Sequence, residues 1–118
     1  MISSSDNPLA ILVGRQLSAV VFVQDYVQFQ FDGPVLTAIT SPRVSLAGDE
    51  WSVRLAGYRD ALCRLIGRKV QATSLAEGRE LRIDLDDRGT LSVSLKPEDA
   101  CGPESATFAT SPEDLWVW

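Results

Sequence analysis

The chain has 118 residues, enough for one domain of the commonest size and too few for two independent cores. Its 45% hydrophobic and 23% charged content excludes global disorder, and no apolar run approaches the roughly 18–20 residues of a membrane-spanning helix. With 11 basic against 16 acidic residues and a net charge of −5, binding to nucleic acid or an anionic membrane is disfavoured, because both run on Lys and Arg.

No base precedes Arg15, and the apolar run Leu9–Val13 is shorter than a secretory signal requires. Cys63 and Cys101 are too few for a disulfide scaffold, and neither lies in a CxxC motif. A reduced, cytoplasmic protein is expected.

Asn7 and Pro8 read as the cap and first residue of a short helix, with Leu9, Leu12 and Val13 on its apolar stripe and Gly14 closing it. Leu17–Val23, Val27–Phe31 and Val35–Thr40 then alternate as a three-stranded meander, with a hairpin turn at Asp32-Gly33. Trp51, Val53 and Leu55 alternate with Ser52 and Arg54, which predicts a further strand. Tyr58, Ala61, Leu62, Leu65 and Ile66 share one helical face, ended by Gly67. A second meander follows over Val70–Leu75, Leu81–Leu85 and Leu91–Leu95, and Asp114–Trp118 reads as a last strand.

The two halves resemble each other. Residues 9–20 lie over 62–73 at an offset of 53, and five of the twelve pairs are identical: Leu9/Leu62, Leu12/Leu65, Gly14/Gly67, Arg15/Arg68 and Ala19/Ala72. Average residue usage would give roughly one. The meanders continue the likeness after one inserted residue. The expected fold class is α+β: one domain of two pseudo-symmetric repeats, about 6–55 and 57–118. Each repeat would be a short helix plus an antiparallel β-meander, with the helices packed on an antiparallel sheet.

The halves differ in one respect. Leu81, Ile83 and Leu85 alternate cleanly with charged residues, but the first strand is apolar on both sides. Leu17, Ala19, Val21 and Val23 fill one side, and Val20 and Phe22 the other. A strand apolar on both sides needs cover. The C-terminal Leu115–Trp118, a second sheet or a second subunit would supply it, and in the last case Val20 and Phe22 form the face of a homodimer.

Catalytic chemistry finds little to work with. There is no histidine, and the two cysteines lie far apart, so neither a metal site nor a cofactor is expected. Asp84, Asp86 and Asp87 lack the glycine and terminal glutamate of a calcium loop. Cys63 has Arg59, Arg64 and Arg68 nearby in sequence but no base. No Gly-rich phosphate loop or G-x-S-x-G elbow occurs.

What remains is charge and aromatic surface. Glu98, Asp99, Glu104, Glu113 and Asp114 fall in one stretch without a base, followed by Trp116 and Trp118. The expectation is a non-enzymatic protein-interaction module, resembling an immunity or inhibitor protein that occludes a basic partner. The acids would supply attraction and the tryptophans apolar contact. The alternative is a small-molecule binder with its pocket between the repeats, lined by Trp51, Tyr58 and arginines.

Overall fold

The structure, a computed structural model, describes residues 7–100 and 102–118. Cys101 lies outside them. Among the described residues the chain forms β1 (Ala19–Val23), β2 (Tyr26–Gln30), β3 (Val35–Ala38), β4 (Arg43–Leu46), β5 (Asp49–Trp51), α1 (Tyr58–Cys63), β6 (Val70–Ala76), β7 (Glu80–Leu85), β8 (Gly89–Ser94), β9 (Ala106–Ala109) and β10 (Leu115–Val117). Single 3-10 turns stand at Pro8–Leu12 and Pro97–Asp99. No helix here is long and apolar enough to cross a membrane.

The α+β expectation is overturned. The strands make two five-stranded antiparallel sheets, ordered β1-β2-β3-β9-β10 and β5-β4-β8-β7-β6, and the protein is mainly β. The reason is helix length. A helix nucleus fixes several residues for its first hydrogen bond, so five or six residues are too few to form a layer of their own. At Pro8–Leu12 the chain takes the tighter 3-10 form that suits short pieces. Asn7 caps it, its side-chain oxygen accepting from the Leu9 N–H at 3.1 Å. α1 is only six residues long. Both act as apolar plugs, burying Leu9, Leu12, Tyr58, Ala61 and Leu62 in the core.

The helix-plus-meander unit is overturned as well. Each sheet joins three consecutive strands from one half of the chain to the terminal hairpin of the other half. β9-β10 completes the sheet of β1-β2-β3, and β4-β5 completes the sheet of β6-β7-β8. The segments leading into β1 and β6 also run antiparallel, with a bridge at Gln16 and Lys69. Gly14 N–H donates to Val70 O and Gly67 N–H to Leu17 O, both at 2.8 Å. Leu17 N–H donates to Arg68 O at 2.9 Å, and Val70 N–H to Arg15 O at 2.8 Å.

One core lies between the sheets. Phe29, Leu36 and Phe108 come from the first sheet, and Leu81, Ile83 and Leu91 from the second, all fully buried. The tight turns use residues that tolerate the left-handed region. Asp32 (φ 55°) and Gly33 (φ 132°) turn β2 into β3.

Candidate functional site

β5 ends at Trp51, earlier than the alternation through Leu55 suggests, and the chain turns instead of continuing as a strand. Leu55 N–H donates to Ser52 O at 3.0 Å, and Tyr58 N–H to Leu55 O at 3.2 Å. These turns lift Val53 and Leu55 into solvent, where they are 55% and 51% exposed. Opposite them the β1–β2 hairpin ends in the two-residue turn Gln24-Asp25, flanked by exposed Phe22 and Val23.

Between the hairpin and the 53–60 turn lies an open groove of about 850 Å³, closed at one side by residues 102–104. Tyr58 forms part of its lining. The Tyr58 hydroxyl donates to the Pro42 carbonyl at 2.6 Å, tying the start of α1 to the segment before β4. Burial of the ring pushes this phenol up to about 12. The Arg59 guanidinium stands over the Phe22 ring, 5.6 Å from its centroid. Three carboxylates line the groove, Asp25, Asp60 and Glu104, against that single guanidinium. An apolar lining under a net negative rim suits a ligand that is apolar and positively charged.

The acids that run together in sequence divide between the two ends of β9. Glu98 and Asp99 occupy the 3-10 turn after β8, where Asp99 Oδ2 accepts from Ser94 Oγ at 2.6 Å. Glu104 lies on the groove. Glu113 and Asp114 sit beyond the other end of β9, both accepting from Ser111 Oγ, at 3.3 and 3.4 Å. Trp116 lies on edge strand β10, with its ring centroid 5.8 Å from that of Phe108. Trp118 is half-buried, its carbonyl accepting from the Ser105 and Ala106 N–H groups.

Comparison with known protein families, curated proteins and solved structures returns no match.

The remaining candidates divide between the groove, the core and the end of α1. Phe22 lines it, whereas Val20 packs against the core. Tyr58 and Arg59 line it too, and Trp51 lies just behind, its indole nitrogen 3.3 Å from where a β-carbon on Gly57 would stand. Cys63 is a free, exposed thiol at the end of α1. Among the described residues no group of three or more His, Cys, Asp or Glu could hold a metal ion.

The outward face of the second sheet has a smaller hollow of about 350 Å³, lined by Arg43, Glu50, Glu80 and Arg82 among others. Its charges offset one another, and Arg82 is further engaged by Asp84 at 2.9 Å. Sequence reasoning missed Asp25, Asp60, Val53 and Leu55 as groove residues. The signal for Asp25 was the two-residue gap between two alternating strands. For Val53 and Leu55 the signal pointed the wrong way, because their alternation with Ser52 and Arg54 reads as a strand, whereas the chain turns after Trp51.

Proposed function

We propose that the protein is a non-enzymatic cytoplasmic binding module that docks a basic partner protein through the groove between the β1–β2 hairpin and the 53–60 turn. The observation that carries this reading is the exposed apolar quartet Phe22, Val23, Val53 and Leu55 beneath Asp25, Asp60 and Glu104. Large side chains exposed together beside a concavity are what an interface anchor fills. The acidic rim adds steering toward a positively charged surface. In this mode the module acts by occlusion, as an inhibitor or immunity protein does, and no bond is made or broken.

The second reading is a small-molecule site, favoured by a volume inside the usual range of about 300–1,000 Å³ for such pockets.

A defined probe separates the two: a peptide with one tryptophan flanked by lysines, titrated by NMR at low and high salt. Expected are shifts at Phe22, Leu55 and Tyr58, binding that weakens as salt rises, and loss of binding in Leu55→Asp. Asp60→Asn with Glu104→Gln should weaken it about three- to tenfold while leaving the fold intact. No shift with the peptide, alongside thermal stabilisation by a neutral metabolite, would overturn protein docking in favour of the second reading.

A further inference from the structure

Among the described residues, the outward side of the first sheet carries no charge. Its register places two rows of side chains across all five strands. The first row is Ala19, Gln30, Val35, Ala109 and Leu115, and the second is Val21, Gln28, Thr37, Thr107 and Val117. The alternate residues Phe29, Leu36 and Phe108 are fully buried, which fixes these rows as the solvent side. A soluble surface is about 25–35% charged, so ten positions would ordinarily carry about three charges. The outward side of the second sheet follows that rule, with Arg43, Glu50, Glu80, Arg82 and Asp84.

The charge-free face also has a symmetric order. Its edges are aliphatic: Ala19 and Val21 on β1, Leu115 and Val117 on β10. Its inner strands carry amides and hydroxyls, and Gln28 Nε2 donates to Thr37 Oγ1 at 3.4 Å across them. A two-fold axis along the central strand β3 lays the aliphatic edge on β1 of one copy over the aliphatic edge on β10 of the other. It brings glutamines over the Thr107 strand in the same operation. Such a face is complementary to itself, the requirement of an isologous interface.

We propose that this face pairs with a second copy of the chain. Charge argues for that occupant. Two molecules of net charge −5 repel each other, and a contact between them must fall where neither presents a carboxylate. A basic partner gains nothing from a face without acids, and it has the groove to use instead. Strand spacing of about 4.8 Å and rise of about 3.4 Å give a flat footprint of roughly 350–400 Å² per copy. A standard stable interface buries about 800 Å² per partner, so the dimer is weak and concentration-dependent, not obligate.

Sedimentation equilibrium from about 1 μM to 1 mM tests this, micromolar being the range of a weak dimer. The expected result is a mass that rises from monomer to dimer across that range, and rises further with added salt as the like charges are screened. Thr37→Lys, at the centre of the face and on its solvent side, should raise the dissociation constant at least tenfold. Gln28→Glu, which keeps the side-chain shape, should act in the same direction should the lysine variant fold poorly. Ser92→Lys, on the outward side of the other sheet, should leave the dimer unchanged. A monomer throughout the range, or a dimer unaffected by both face variants, overturns the proposal.

Discussion

Gly89 lies buried beneath Leu65 and Arg68, and a β-carbon built on it would stand 3.2 Å from Leu65 Cδ2 and 3.4 Å from Arg68 Cδ. Leu65 is fully buried and cannot swing aside. Arg68 is held too, its Nη1 donating to Asp86 O at 3.1 Å and Asp87 O at 2.7 Å. Gly89→Ala should therefore cost about 1–3 kcal/mol through overpacking, measured by urea unfolding. Gly102→Ala, where nothing lies within 4 Å, serves as the neutral control. Tyr58 makes a different kind of prediction. Its pKa rises from 10.0 in the unfolded chain to about 12 in the folded one, because burial disfavours the phenolate. The folded state holds the proton longer, so this contribution is complete below pH 10 and is lost as pH rises from about 10 to about 12. Tyr58→Phe should be less stable at pH 7 by about 1 kcal/mol, for the lost hydrogen bond to Pro42 O. The difference from wild type should narrow between pH 10 and 12, read by parallel urea titrations. A constant gap across that window would show that the phenol does not titrate with folding.

At the scale of elements, the strands of the two meanders were legible in the sequence, but β4 and β9, which join each sheet to the other half of the chain, were not, and neither were the layers. Leu81, Ile83 and Leu85 alternate with polar residues, and β7 buries those three. Asp32-Gly33 announced a hairpin turn, and the chain turns there. The helical stripes held in part as burial patterns: Leu9, Leu12, Leu62 and Leu65 are fully buried, whereas Val13 and Ile66 at the stripe ends are exposed. A stripe two turns long states which residues go inward without stating that an α-helix carries them. That is why the helix-on-sheet reading failed while most of its core residues are buried. The groove was harder to see. Phe22 and Tyr58 stood out as aromatics, but Asp25 and Glu104 are remote in sequence and meet only because β9 pairs with β3. The acidic run from Glu98 to Asp114 is divided for the same reason. The sheet carries Glu104 to one end of β9 and Glu113 to the other.

The whole molecule is tied together by strands that cross between its halves. The last hairpin, β9-β10, contributes Phe108 and Trp116 to a sheet whose other three strands lie at the start of the chain. β4-β5 returns the exchange in the second sheet. Neither half therefore owns a complete sheet, and neither can bury its apolar face alone. Long-range antiparallel pairing of this kind forms slowly, because loop closure must precede the contacts that reward it. It also makes unfolding cooperative. Phe108 is the side chain on which this rests most directly, being fully buried and registered opposite Leu36 on β3 and Trp116 on β10. Phe108→Ala should cost about 3–5 kcal/mol, the usual range for removing a buried aromatic ring. The sharper reading is where the loss appears. Amide exchange at Phe29 and Leu36 in the first sheet should accelerate together with exchange at Ile83 and Leu91 in the second. Acceleration confined to the first sheet would mean that the exchanged hairpins leave the two sheets energetically separate, and that the chain unfolds in two steps rather than one.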